Sequence, residues 1–176
     1  MSMQKLLIVV DMQNDFIDGA LGTKEAEAIV SGVAEQIRSF DGTVLATLDT
    51  HEENYMSTAE GIKLPVAHCI RGTKGWELNP QIQDALAERD GETLEKPTFG
   101  SIQLPIWIQN HFNPDELEIT MVGLCTDICV VSNALLLKAH FPDTPIAVIE
   151  SLCAGVTPDA HQAALATMRS CQIDIL

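Results

Sequence analysis

Positively charged residues are scarce in this chain. Its 176 residues include 10 lysines and arginines against 25 aspartates and glutamates, which gives a formal net charge of −15 at pH 7. A surface of this sign repels the phosphate backbone of nucleic acids and the anionic headgroups of membranes. The composition therefore argues against nucleic acid and membrane surfaces as partners.

Long hydrophobic runs are missing as well. No stretch of 18 or more apolar residues occurs, so the sequence predicts no transmembrane helix. The apolar stretch in MSMQKLLIVVDMQ is interrupted by Asp11, and no signal peptide is apparent there. We therefore expect a cytoplasmic protein. Its five cysteines are an odd number, and they predict free thiols rather than a disulfide framework.

Short apolar runs alternate with helical patterns along the chain. Buried strands are predicted at 5–11, 43–49, 116–124 and 146–152, with weaker strand predictions at 92–97 and in the C-terminal QIDIL. Helical patterns lie at 24–40, 79–89, 101–111, 127–139 and 158–170, the last with a capped start in TPDAHQAA. This order predicts an α/β fold with an open, mostly parallel sheet of about six strands and helices on both faces, in a single domain over residues 1–176.

Polar residues end the predicted strands. Asp11 ends the first, Asp49 the second and Lys96 the weaker third, while the fourth continues through LCTDIC into a helix. Each residue alone has an ordinary explanation, because a strand-end aspartate usually caps a turn and a lone lysine is usually solvated. Ligands of open parallel sheets, however, bind outside the carboxyl ends of the strands. Four such ends at one edge therefore predict a functional site.

Two cysteines lie four residues apart in the hydrophobic segment MVGLCTDICVVSNALLL, residues 121–137. They are either packing residues of a buried helix or a metal or redox pair, although zinc knuckles and thioredoxin-like sites use the shorter CxxC spacing. A third interpretation is a nucleophile. With Thr126 as N-cap, Cys129 falls in the first helical turn, where free N–H groups and Lys96 would lower the thiol pKa.

A cysteine nucleophile needs a proton acceptor and hydrogen-bond donors for an oxyanion. Asp11 is expected to take the thiol proton and deliver it to a departing amine. The backbone amides of Cys125 and Cys129 are the expected oxyanion donors. The Cys125 side chain is interpreted as a small packing residue, because no second acid or base is evident for it.

A second cluster of reactive residues lies in LDTHEENYMSTAEGIKLPVAHC, within a section at 51–75 that exceeds ordinary loop lengths. Asp49 and His51 are two residues apart and can face one point, His68 can return to it across the loop, and Glu60 is a fourth candidate ligand. Carboxylates and imidazoles together suit zinc, iron or manganese. Coincidence is the alternative, because short motifs also arise by chance.

These segments together resemble the isochorismatase-like cysteine hydrolase superfamily, and within it the nicotinamidases. The similarity covers nearly the whole chain and is carried by VVDMQNDF, DTH, HCIRGTKGWEL, EKPTFGS and GLCTDICV. It implies a Rossmann-like isochorismatase fold, a catalytic triad of Asp11, Lys96 and Cys129, and a cis peptide bond between Leu124 and Cys125.

The same resemblance implies a metal site, and this chain differs from nicotinamidases at two points. Nicotinamidases commonly have an acidic residue directly before the loop histidine, where this chain has Ala67. Their pockets have aromatic walls, for which only Phe16 and Phe99 are candidates here. The metal ligands implied by the resemblance are Asp49, His51 and His68, with Glu60 as a further carboxylate.

The sequence thus predicts a metal-containing amidohydrolase that cleaves a small carboxamide through a cysteine thioester, with nicotinamide as the expected substrate. One divalent metal ion per chain would hold the pyridine nitrogen and ordered waters. Two alternatives stay open: a related hydrolase acting on another amide, a ureido compound or an isochorismate-type ether, and a non-catalytic binding member of the fold. We also expect a homo-oligomer, of a size that the sequence does not give.

Overall fold

The computed structural model describes residues 3–176, which form one six-stranded sheet in the order β3-β2-β1-β4-β5-β6 with every neighbouring pair parallel. The strands are β1 (Gln4–Val10), β2 (Thr43–Asp49), β3 (Glu92–Lys96), β4 (Leu117–Leu124), β5 (Ile146–Ala154) and β6 (Asp174–Ile175). The predicted α/β class and both weaker strand predictions are confirmed. Residues 1 and 2, part of the predicted domain and of the N-terminal stretch considered for a signal peptide, lie outside the described residues, and the domain boundaries stay a prediction.

Helices cover both faces of the sheet. Within residues 3–176 they are α1 (Asn14–Ile17), α2 (Lys24–Ser39), α3 (Ala59–Lys63), α4 (Pro80–Glu88), α5 (Gln103–His111), α6 (Val131–His140) and α7 (Pro158–Ser170). Helices α2 and α4 share a core with Leu7 and Val9, whereas α5, α6 and α7 share a core with Leu6 and Ile8. Successive strand residues point to opposite faces, so β1 contributes to both cores. None of these helices is long and apolar enough to cross a bilayer.

Helices α2 and α7 begin at threonine caps. The Thr23 hydroxyl accepts a hydrogen bond from the Ala26 amide at 3.0 Å, and that of Thr157 accepts one from Ala160 at 3.1 Å. Such a cap satisfies an otherwise unpaired backbone donor and stabilises a helix by about 1 kcal/mol. The predicted capped start of the last helix is confirmed.

The segment that carries Cys129 differs from its prediction. It is a π-helical turn over Thr126–Val130 followed by α6, rather than one helix over 127–139. The assignment of Thr126 as N-cap is wrong, because Cys125 occupies that position and the Thr126 hydroxyl lies 2.7 Å from Nδ1 of His161 on α7. A tertiary contact thus takes the place of the expected local cap. Cys129 still lies in the first helical turn after β4.

Gly123, opposite Val10 in the pairing of β4 with β1, has no room for a side chain. Its φ is +117°, and a Cβ atom there would overlap the Val10 carbonyl oxygen. Gly123→Ala is therefore expected to lower the free energy of unfolding by about 2–6 kcal/mol, from backbone strain and overpacking together.

Gly72 provides the matched control for this substitution. Its φ is also positive, at +79°, but within residues 3–176 no neighbouring atom lies within 4 Å of the position that a Cβ atom would take. Gly72→Ala should therefore cost only the backbone strain, about 1–2 kcal/mol. Urea unfolding of the two variants measures the difference, and equal losses of stability would contradict the proposed overlap at Gly123.

Candidate active site

Four strand ends meet at the point where the strand order reverses. The chain moves outward from β1 through β2 to β3 and then crosses back to pair β4 with the other side of β1. Asp11 directly follows β1, Asp49 and Lys96 are opposite each other at the ends of β2 and β3, and Cys129 lies in the turn after β4. The predicted convergence of these residues at the carboxyl edge of the sheet is confirmed.

Asp11, Lys96 and Cys129 form a buried cluster. Lys96 Nζ lies 2.7 Å from Asp11 Oδ2 and donates to Cys129 Sγ at 3.3 Å. The Thr47 hydroxyl donates to the other carboxylate oxygen, Oδ1, at 2.7 Å. Asp11 adopts a left-handed conformation, φ +49°, which aspartate tolerates better than most residues and which is common at functional sites.

Burial controls the protonation of this cluster. It raises the pKa of the Cys129 thiol, and the facing Asp11 carboxylate raises it further than the Lys96 ammonium lowers it. Burial would lower the pKa of Lys96, but the neighbouring negative charges outweigh it and hold that pKa above its usual range. The expected net lowering of the Cys129 pKa is therefore wrong, although Lys96 acts in the expected direction. Lys96 keeps its proton, and so does the thiol while Asp11 is ionised.

Asp11 Oδ2 has the lone pair that a proton transfer requires. The atom is buried, and apart from its ion pair with Lys96 it has no hydrogen-bond partner among residues 3–176. Burial also raises the pKa of Asp11, and the Lys96 ammonium only partly offsets this effect. A carboxylate with a raised pKa beside a neutral thiol can accept the thiol proton without changing the total charge of the cluster.

The second predicted cluster also comes together. One ligand atom from each of four residues lies within 4.8 Å of the other three: Asp49, His51, Glu60 and His68. His68 Nδ1 donates to the Val66 carbonyl at 2.8 Å, so a neutral His68 presents the lone pair of Nε2 to Asp49 Oδ2 at 3.5 Å and Glu60 Oε1 at 3.6 Å. Two carboxylates and two neutral imidazoles that face one point form a donor set that fits a divalent cation.

Asp49 belongs to both clusters. Its Oδ1 lies 3.5 Å from Lys96 Nζ and its Oδ2 lies 2.9 Å from His51 Nε2. Burial would raise the pKa of Asp49, but the hydrogen bond from His51 and the positive charge of Lys96 help to outweigh it and hold that pKa below its usual range. One carboxylate therefore connects the thiol cluster with the candidate metal site.

Gln13, which the sequence did not mark as a site residue, holds Asp49 in place. The Gln13 side chain is fully buried, accepts a hydrogen bond from the Asp49 amide and donates one to the Asp49 carbonyl, both at 2.8 Å. It also donates to the Trp76 carbonyl at 2.8 Å. The position of Gln13 inside the segment VVDMQNDF was the one sign in the sequence that it belongs to the site. The hydrogen-bond partners of an amide side chain cannot be predicted from sequence.

A small apolar cavity opens onto Cys129. Its volume is about 40 Å³, and it also reaches the candidate metal ligands Asp49, Glu60 and His68. Both aromatic residues predicted for the pocket lie in its wall. The aliphatic part of the wall was not predicted, because its members come from three separate segments. The apolar wall residues are Phe16, Leu21, Leu64, Phe99 and Ile128.

The turn that precedes Cys129 has the predicted backbone feature. The peptide bond between Leu124 and Cys125 is cis. Cys125 is partly exposed and lines the cavity, whereas Cys129 is buried beside Lys96. The two thiols thus occupy different environments, and among the described residues Lys96 donates a hydrogen bond to Cys129 but not to Cys125.

Comparisons with known proteins agree with this architecture. The family described as "Isochorismatase domain" matches residues 5–176. The chain is 28% identical over 189 residues to the nicotinamidase/pyrazinamidase of Mycobacterium tuberculosis, covering 98% of each protein. Its fold is similar to a crystal structure of nicotinamidase/pyrazinamidase PncA from Bacillus subtilis, with a TM-score of 0.86 at 24% identity and 98% and 99% of the two chains covered. A pyrazinamidase of Pyrococcus horikoshii, solved in complex with zinc, superposes with a TM-score of 0.79 at 26% identity and covers 98% of each chain.

Proposed function

Because the chain belongs to the isochorismatase family, we propose that it is an amidohydrolase that converts nicotinamide to nicotinate and ammonia through a cysteine thioester. The observation that carries the proposal is the contact of Lys96 with both Asp11 and Cys129 at the base of an apolar cavity. Relatives named nicotinamidases support the substrate class. Cytoplasmic location and self-association stay predictions.

The proposed reaction begins with proton transfer from Cys129 to Asp11 Oδ2 as Sγ attacks the amide carbonyl carbon. Lys96 stays protonated, so it balances the single negative charge whether that charge is on oxygen or sulfur. The backbone amides of Cys125 and Cys129 are the proposed donors to the oxyanion. Protonated Asp11 then gives its proton to the leaving nitrogen, and ammonia departs as the thioester forms.

Hydrolysis of the thioester uses the same residues in reverse. Asp11, now ionised again, takes a proton from water as the water oxygen attacks the acyl carbon. The carbon–sulfur bond breaks, the carboxylic acid is released, and the thiol of Cys129 recovers the proton. One amide and one water are consumed, and one acid and one ammonia are formed.

A divalent cation fits beside this reaction centre. The residues that would hold it are Asp49, His51, Glu60 and His68. When bound, such a cation supplies a Lewis acid that can hold a ring nitrogen and so orient the amide. Asp49 fixes the metal site relative to Lys96 through its two carboxylate oxygens.

Purified protein is expected to release ammonia from nicotinamide and to contain about one divalent metal ion per chain. His51→Ala should lose the metal while the fold survives, because His51 supplies one of four ligands. Turnover of nicotinamide should then fall by roughly 10–100-fold or more. Elemental analysis, circular dichroism and an ammonia assay measure the three quantities.

An aliphatic amide provides the control for this experiment, because it has no ring nitrogen to bind the cation. Its turnover should fall less than that of nicotinamide in His51→Ala and in chelator-treated wild-type protein. A metal-free wild-type enzyme with full activity on nicotinamide would contradict the proposed role of the four ligands. Hydrolysis of only ureido compounds or ethers in a substrate panel would contradict the amide substrate.

A further inference from the structure

The cavity at Cys129 is small, with a volume of about 40 Å³. A ring amide, the substrate class of the proposed function on which this inference rests, has to pass the outer wall of this cavity to reach the thiol. The position of that wall therefore decides how large a substrate the enzyme accepts.

Two exposed side chains form the outer wall, and different contacts hold them. Leu64 is 38% exposed and Phe99 is 47% exposed. Leu64 directly follows α3, where its amide donates to the Glu60 carbonyl at 2.8 Å and its carbonyl accepts from the Tyr55 hydroxyl at 2.9 Å. Phe99 lies in the segment 97–101, which has no helix or strand of its own. The position of Phe99 therefore depends on hydrogen bonds between this segment and side chains of other elements.

Asn133, on α6, ties this segment to the helix that carries the nucleophile. The side chain is fully buried, and its Nδ2 donates to the Phe99 carbonyl at 3.2 Å and to the Cys129 carbonyl at 2.8 Å. Its Oδ1 accepts from the Ser101 amide at 2.8 Å. The three bonds hold the backbone on both sides of Gly100. A leucine of similar volume would fill the space but provide none of these bonds.

We propose that Asn133 is a positioning residue that sets the size limit of the substrate pocket by fixing the backbone of Phe99. With the backbone held, only rotation of the Phe99 side chain opens the cavity, and the opening admits a small flat ring. Without these bonds Phe99 and Ser101 are released from α6 while Thr98 stays bonded to Lys96, and the wider opening admits larger molecules. Asn133 touches no substrate in this arrangement, so its effect is on selectivity rather than on the chemical step.

Alkylation of Cys129 tests this proposal without requiring any amide turnover. The rate constants for iodoacetamide and for the bulkier N-phenylmaleimide are measured at Cys129 by peptide mass spectrometry, with the exposed Cys171 as internal standard. Asn133→Thr is the first variant, because a threonine hydroxyl can still donate to the Cys129 carbonyl four residues before it. At Cys129 the ratio of the rate constant for N-phenylmaleimide to that for iodoacetamide should rise about tenfold, because the two bonds to Phe99 and Ser101 are lost.

Three further variants separate selectivity from stability. Phe99→Ala removes the wall itself and should raise the same ratio, as should Asn133→Ala if Asn133→Thr fails to fold. Leu137→Ala is the control for stability. Leu137 lies one turn further along α6, is fully buried, and contacts the core rather than the 97–101 segment. This substitution should lower stability and leave the ratio unchanged. A raised ratio in Leu137→Ala, or an unchanged ratio in a folded Asn133 variant, would overturn the proposal.

The amide substrates give a second readout. In Asn133→Thr the ratio of kcat/KM for a ring-substituted nicotinamide to kcat/KM for nicotinamide should rise, mainly through a lower KM for the substituted amide. If no amide is hydrolysed by wild-type protein, the proposed function fails while the alkylation ratio still tests the role of Asn133.

Discussion

Cys129→Ala is expected to reduce amide hydrolysis to the uncatalysed background, a loss of roughly 10⁴-fold or more, because the attacking atom is removed. The change deletes one sulfur from a side chain that lies between the sheet edge and α6. The fold should survive, since alanine fits the same space and the change removes little packing. Ammonia release and circular dichroism on the same preparation measure both quantities.

Cys125→Ala is the matched control for this loss. Only the backbone amide of Cys125 has a role in the proposed reaction, so its substitution should retain activity within about tenfold of wild type. Hydrolysis above background in Cys129→Ala would exclude Cys129 as the nucleophile. If both variants fold and both are inactive, activity does not distinguish the two thiols. The nucleophile is then identified directly as the residue that the substrate acylates.

Asp11→Asn is expected to move turnover and thiol reactivity in opposite directions. Turnover should fall by roughly 10²–10⁴-fold, because asparagine cannot accept the thiol proton or return it to the leaving amine. Alkylation of Cys129 by iodoacetamide at pH 7 should become faster. The carboxylate that raises the pKa of Cys129 is gone, while the Lys96 ammonium that lowers it remains.

The pH dependence of alkylation measures this shift. Because a lower pKa produces thiolate at lower pH, the midpoint of the alkylation profile in Asp11→Asn should lie below that of wild-type protein. Lys96→Met should move it the other way, since the neutral side chain no longer stabilises the thiolate. Slower alkylation in Asp11→Asn would contradict the proposed effect of the Asp11 charge on the pKa of Cys129.

The same substitution has an expected cost in stability. Asp11→Asn removes the shorter ion pair of the fully buried Lys96 ammonium and leaves the one with Asp49 at 3.5 Å, which should lower the free energy of unfolding by about 3 kcal/mol or more. The double variant with Lys96→Met should recover part of this loss, because it removes the poorly compensated charge. It should not recover activity. Urea unfolding and the ammonia assay together distinguish the two effects.

Residues at the ends of strands were the most predictable part of the site. Asp11, Asp49 and Lys96 each follow a short apolar run, and the rule that ligands bind at the carboxyl edge of a parallel sheet is enough to bring them together. Their order in space was not predicted, because the rule gives the edge of the sheet and not the order of its strands. Cys129 could be added because the fourth run leads directly into a helix.

Features that depend on tertiary contacts could not be predicted in this way. The pKa of Cys129 was expected to be lowered, because a helix start and a lysine are visible in sequence while the depth of burial is not. Thr126 resembled an N-cap, yet its hydroxyl pairs with His161 on a distant helix. Gln13 and Asn133 contact backbone atoms of remote segments, which leave no pattern in the chain.

The pairing of β1 with β4 joins parts of the sheet that are far apart in the chain. Val10 pairs with Gly123, and closing so long a loop of chain is slow compared with forming local contacts. Asp11 and Lys96 can approach each other through β1, β2 and β3 alone. We therefore expect Cys129 to join them after these strands have paired, so that a refolding chain keeps this thiol open to oxidants and alkylating reagents until β4 docks against β1.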